Sequence, residues 1–428
     1  MRPTRMRELR LNGQGLTALP PEVFDHADTL ELLDVSGNAL SALPPDLHRL
    51  KRLRILFASN NRFTELPAAL GECAALEMVG FKTNAITHVP GHALPAQLRW
   101  LILTDNAIDT LPSALGQRPR LQKLMLAGNR LARLPDSLQH AHALELLRIA
   151  ANQFDTLPHW LTALPRLTWL AWGGNPLTAA PEADALALAS ARGIPAAALT
   201  LGDRLGEGAS GVIRAARWHR ANGDEDVAVK QFKGAVTSDG WPGSEMAASL
   251  AAGQHDALVP VIGPVLPDAQ DTHALVLGRL PAGTQALAAP PSFDTCTRDV
   301  YPPGLQLDAG TLWALARQVA GAMAQLHARG LVHGDLYAHN LLRAGPRAWL
   351  SDLGAAAFLP PGQPELHPAL RALDVRAFGV LLDEWLAHSA PQDTAALAPL
   401  AALRDRCHAA ASAIDLGFDD IRRLLSNK

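Results

Sequence analysis

The chain has no run approaching the eighteen or more apolar residues needed to cross a bilayer, although 48% of its 428 residues are hydrophobic. No transmembrane anchor is therefore expected. The basic opening MRPTRMRELRL is not followed by an apolar stretch, so no cleaved secretory leader is expected either. A cytoplasmic location follows, with secretion by a route that needs no such leader left open. Cysteine is scarce. Cys73, Cys296 and Cys407 lie far apart without metal-ligand spacing, which argues against a disulfide scaffold and suits a reducing compartment. Excess charge is missing too: a net charge of -3 gives no electrostatic case for nucleic acid or an anionic membrane. No Gly/Ser-rich or charged linker divides the chain, so its two or three domains should be packed together or poorly independent.

What the first half does contain is a period. Asparagine recurs at Asn38, Asn61, Asn84, Asn106, Asn129, Asn152 and Asn175, and proline keeps the same phase from Pro20 to Pro181, in the pattern LxxLxLxxNxLxxLP. The LxL segment is a short strand with both leucines inward, and stacked units build a parallel sheet. The pattern resembles the leucine-rich repeat family. That resemblance gives each asparagine a ladder role, bonding backbone where the chain turns out of the strand. An α/β solenoid over residues 1–195 is expected, closed by a capping helix over Pro181–Arg192. Variable positions on the concave sheet are mostly apolar, with Phe57, Trp100 and Trp169 as candidate protein-binding anchors. The occupant is an outside protein, substrate or partner, or else the chain's own C-terminal half through an intramolecular contact with the repeats. Mutual shading of neighbouring side chains explains the same rows without any partner.

The second half carries an ordered set of short motifs. Gly206, Gly208 and Gly211 form GxGxxG between two predicted strands, followed by Val212 and Ile213, and DVAVKQF contains Ala228 and Lys230. Glycines let loop N–H groups approach phosphate oxygens, and Lys230 supplies a cation. Glu245 stands fifteen residues on in a helical stretch, and ALVLGRLPAG offers a hinge near Leu277–Leu280. HGDLYAHN then places Asp335 and Asn340, DLG places Asp352, and DVRAFG contains Asp374. Together these segments resemble the protein-kinase family. The resemblance implies an α+β two-lobed domain over residues 196–428, with its N-lobe at about 196–281 and C-lobe at about 282–428. It also implies ATP and Mg2+ as cofactors. Gly206, Gly208, Gly211, Val212, Ala228 and Lys230 would bind the nucleotide, with Glu245 positioning Lys230. Asp335 would be the catalytic acid–base, Asn340 and Asp352 the metal ligands, and Asp374 a structural brace.

Three departures from that pattern bear on function. Gly334 replaces the arginine of HRD, which in regulated kinases receives a phosphorylated loop residue. No Ser, Thr or Tyr lies between Asp352 and Glu365, so acceptor and receptor are missing together. The segment is also short, which removes much of the platform for a substrate peptide. Loop phosphorylation is therefore not expected to control the enzyme, and substrate choice is expected to fall to the repeats. Tyr337 occupies the usual lysine position of serine/threonine kinases, yet the alanine–arginine pattern of tyrosine kinases is absent. A serine/threonine protein kinase is the preferred reading. A catalytically silent nucleotide-binding scaffold and a small-molecule kinase, which HGD loops also resemble, are the alternatives.

Overall fold

A computed structural model describes residues 6–208, 210–233, 236–266, 273–413 and 415–426. It divides into two compact units, Met1–Leu167 and Thr168–Lys428. Residues 1–5 of the basic opening lie outside the described residues.

In the first unit β1 (Glu8–Arg10), β2 (Leu32–Asp34), β3 (Ile55–Phe57), β4 (Met78–Gly80), β5 (Trp100–Ile102), β6 (Lys123–Met125) and β7 (Leu146–Arg148) pair in parallel, in chain order. Their central residues, Leu33, Leu56, Val79, Leu101, Leu124 and Leu147 among them, are buried and stack in register. Prolines such as Pro67, Pro112 and Pro135 are extended and start the short 3-10 helices of the opposite side. Fixed φ and the absent N–H suit proline to that place. The asparagines form the ladder. Asn129 Nδ2 donates to Leu103 O and Leu126 O, both at 2.9 Å, while its Oδ1 accepts from Ile108 N–H at 3.0 Å. Asn38, Asn61, Asn84, Asn106 and Asn152 repeat the arrangement.

The apolar rows of this sheet are largely shaded by their own neighbours. Phe57 lies across Gly80 on the next strand, where a Cβ would come within 2.5 Å of the ring. The Lys123 ammonium sits 4.1 Å from the Trp100 ring centroid, and both aromatic residues are half-buried. Leu32 and Met78 are buried.

The second unit opens with β8 (Trp169–Ala171) and helix α1 (Pro176–Ser190). The helix begins five residues before the expected start because Asn175–Pro176 supplies an entry with proline in its first turn, and it accommodates Pro181 internally. Next come β9 (Ile194–Pro195), β10 (Leu199–Glu207), β11 (Gly211–Trp218), β12 (Glu225–Phe232), helix α2 (Pro242–Ala251), β13 (Val261–Leu266) and β14 (Ala274–Gly278). These strands form one sheet in the order β10-β11-β12-β14-β13-β9, antiparallel except for the edge pair β13–β9. Strand alternation sends Val227, Val229 and Val276 to one core, and Ala228, Leu275 and Leu277 to the other. Helices α3 (Ala309–Ala328), α4 (His367–Ala387), α5 (Thr394–Ala413) and α6 (Phe418–Ser426) build the remainder. Among the described residues no helix is long and apolar enough to cross a membrane.

The ladder makes a definite demand on stability. Asn129→Ala strands a buried N–H and two carbonyls, and is expected to cost about 1–3 kcal/mol. Chemical denaturation of the full chain should show this as a lowered midpoint with an unchanged slope.

Candidate active site

The site begins on β12. Lys230 pairs in register with Ile213 and Leu275, and its side chain shares a face with Ala228. That face lines a cavity of about 520 Å³. Apolar walls come from Leu205, Ile213, Ala228, Val259, Leu277 and Leu342, with Lys230 and Asp352 also at its surface. The hinge segment Leu277–Leu280 lies along it as expected. Val212, expected at the cofactor, is not in the wall. Alternation puts the adjacent Ile213 there and turns Val212 to the opposite face. The glycines divide by role. A Cβ would meet nothing at Gly206 or Gly208, whereas at Gly211 it would lie 2.5 Å from Gln231 O. The first two line the cavity with no steric demand for glycine, and the third is required by the β11–β12 contact.

Lys230 forms an ion pair with Glu245 from the first turn of α2, and both side chains are largely buried. Burial alone would push the lysine pKa down, but the Glu245 and Asp352 carboxylates outweigh it and hold it above the ordinary value. The ammonium therefore remains charged at neutral pH.

The residues of the HGDLYAHN loop converge by hydrogen bonding. Asn340 Nδ2 donates to Asp335 O at 2.9 Å and to Asp335 Oδ2 at 2.8 Å, leaving its own Oδ1 as an oxygen donor for a cation. Ser351 N–H and Oγ both donate to Asn340 O, at 3.0 and 2.9 Å, which ties this loop to the segment carrying Asp352. Asp352 Oδ1 accepts from Gly354 N–H at 2.8 Å. Asp374 is completely buried and braces the loop: its Oδ2 lies 2.9 Å from His327 Nε2 and accepts from His333 N–H at 2.8 Å, while its Oδ1 accepts from Gly334 N–H at 3.1 Å.

Strand β8 lies against this same loop. Trp169 stacks on Tyr337 with centroids 4.2 Å apart and planes at 12°, and its indole N–H donates to Leu336 O at 3.2 Å. Trp172 N–H donates to Phe358 O at 3.1 Å. Trp169 has no exposed surface, so it is not an anchor for an outside protein; the catalytic loop already covers it. Phe57 and Trp100 keep partial exposure. Gly334 has φ +69, and a Cβ there would stand 2.3 Å from Leu170 O and 3.0 Å from Ala355 O.

Asp299 also supports the loop, and no motif marks it. Asp299 accepts the His339 N–H at 3.0 Å and lies 2.7 Å from His339 Nδ1. Burial would lower the imidazole pKa, but its bond to Asp299 raises it. Nearby, Tyr301 donates to Glu384 at 2.9 Å; burial and the Asp299 charge push Glu384 up to about 7. No local signal marks residues brought together across forty or eighty positions.

Comparison with known proteins accords with both halves. Residues 199–363 match the protein tyrosine and serine/threonine kinase family model, and residues 4–63 and 119–177 match leucine rich repeats. The chain thus carries leucine-rich repeats followed by a protein-kinase domain. It is 36% identical over 156 residues to the non-receptor tyrosine-protein kinase TNK1 of Homo sapiens, covering 36% of this chain and 22% of that protein. It is 39% identical over 92 residues to leucine-rich repeat-containing protein 58 of Homo sapiens, covering 20% and 25% respectively. Podocan of Mus musculus shares 33% over 132 residues, covering 30% and 21%. The chain therefore spans only about a fifth to a quarter of the length of these relatives.

Gly334→Arg, which writes the family's usual residue into this loop, should destabilise the second unit by more than about 2 kcal/mol, because it adds a left-handed backbone penalty to a clash with Leu170 O. Thermal unfolding followed by tryptophan fluorescence would register it, since Trp169 and Trp172 report from the contact.

Proposed function

We propose that this chain is a protein kinase using ATP and Mg2+, with the catalytic machinery in Thr168–Lys428. The reading rests most on the closed Lys230–Glu245 pair at a glycine-roofed, largely apolar cavity that also exposes Asp352. The residues fit the cofactors. The apolar walls suit a purine, Lys230 suits phosphate oxygens, and Asn340 Oδ1 with the second Asp352 oxygen offers hard donors for Mg2+. Among the described residues no three His, Cys, Asp or Glu side chains cluster to hold a metal, so nucleotide phosphates and water would complete the shell. Bound Mg2+ supplies charge neutralisation on the transferring phosphoryl group.

In this mechanism Lys230 orients the phosphates and Glu245 fixes Lys230. Asp335, held by Asn340 Nδ2, accepts the proton of the acceptor hydroxyl. Positioning and electrostatics supply most of the rate. A serine or threonine hydroxyl is the preferred acceptor, since Tyr337 and His339 break the tyrosine-type alanine–arginine pattern; the similarity to a tyrosine-protein kinase pulls the other way. Two observations weigh against the alternatives. A silent scaffold has no need of a buried Lys230–Glu245 pair at this cavity, and the glycine that suggests small-molecule kinases is accounted for here by the Leu170 carbonyl. The repeats, with Phe57 and Trp100, would recruit the protein substrate and raise its effective concentration.

Asp335→Asn should lower kcat by about 10²–10⁴-fold while leaving nucleotide affinity unchanged. Transfer from labelled ATP to a protein acceptor measures the rate, and phosphoamino-acid analysis of the product distinguishes serine/threonine from tyrosine. Undiminished transfer by the variant would remove Asp335 from the mechanism.

A further inference from the structure

Helix α2 carries Glu245 but is poorly equipped to hold itself in place. It is ten residues long, starts with Pro242-Gly243, and its N-cap residue Trp241 makes no side-chain capping bond. Helices this short are marginal without tertiary support. The support comes from α1. Glu182 Oε2 accepts from Ser244 Oγ at 2.8 Å, and Ser244 immediately precedes Glu245 in the first turn of α2. Glu182 Oε1 accepts from Gly174 N–H at 2.8 Å and from Thr178 Oγ at 2.7 Å, so the carboxylate is itself fixed to the turn that follows β8. A carboxylate beside the first turn of a helix is also favoured by the helix dipole.

Gly173 marks the junction. A Cβ added there would lie 3.4 Å from Ala356 O, 3.5 Å from Ser244 Cβ and 3.6 Å from Glu182 Oε1. The segment after Asp352, helix α2 and helix α1 thus meet at one glycine. A few residues earlier, Trp169 is stacked on Tyr337 of the catalytic loop. The stretch 169–182 therefore touches both the loop that bears Asp335 and the helix that bears Glu245.

We infer that Glu182 is a positioning residue: through Ser244 it fixes the first turn of α2 and holds Glu245 against Lys230. The last repeat strand and its helix are on this account part of the catalytic apparatus. The catalytic consequence rests on the protein-kinase reading above; the mechanical one does not.

The test uses the full chain with Glu182→Ala, Glu182→Gln, Ser244→Ala and the Glu182→Ala/Ser244→Ala double variant. Hydrogen exchange of residues 242–251 is measured alongside kcat, KM for ATP and thermal stability. Glu182→Ala should raise exchange in α2 about tenfold and lower kcat about tenfold, with KM within about twofold, as loss of one charge-assisted hydrogen bond allows. Glu182→Gln, which keeps the shape and one acceptor, should recover part of both losses. Ser244→Ala should reproduce the effect, and the double variant should be no worse than either single. Unchanged α2 exchange in Glu182→Ala, or fully additive effects of the two substitutions, would overturn the inference. Should the wild type transfer no phosphate, the kinase reading fails, while the exchange measurement still decides whether Glu182 holds α2.

Discussion

The arrangement of the second unit depends on the approach of one backbone carbonyl to one glycine. Leu170 O sits where a Cβ on Gly334 would need to be, and the chain tolerates this only because residue 334 is glycine in a left-handed conformation. That contact lets β8 lie along the catalytic loop, with Trp169 on Tyr337 and Trp172 on Phe358. It also removes the arginine that would receive a phosphate. The segment from Asp352 to Glu365 likewise carries no hydroxyl side chain to take one. The departures from the family pattern at Gly334 and at Tyr337 thus both lie where β8 packs against the loop.

Charge placement follows the same logic. Asp374, wholly buried, is stabilised by two backbone N–H donors and the His327 imidazole, and so holds the turn at His333–Gly334. Asp299 does comparable work at His339. With the loop braced on both sides, Asn340 Nδ2 ties to Asp335 at both its backbone and its carboxylate oxygen. Buried carboxylates are costly unless their oxygens are used, and here they are used on loop backbone.

Local chemistry made much of this legible in the sequence. The repeat period appears as a parallel ladder because asparagine at fixed spacing meets the same backbone demand in every turn. Lys230, Glu245, Asp335, Asn340 and Asp352 stand out in the sequence because the proposed phosphate and metal chemistry calls for those residue types in that order, and the fold brings Lys230 to Glu245 and Asn340 to Asp335. What stayed hidden was non-local. Trp169 sits in a position that a repeat pattern presents to solvent, and only the fold shows that the catalytic loop covers it. Val212 and Ile213 differ by one step of strand alternation, which a motif does not resolve. The helix after the repeats starts at Pro176 and holds Pro181 inside it, although either proline suits a helix start in sequence. The Glu182–Ser244 bond spans 62 residues and leaves no trace in spacing.

The central claim is that the catalytic loop takes its support from within the chain instead of from a phosphate. Transfer from labelled ATP should be measured with the purified full chain before and after exhaustive treatment with a protein phosphatase. The account predicts equal rates. A large loss of activity, with the removed phosphate mapped between Asp352 and Asp374, would contradict it.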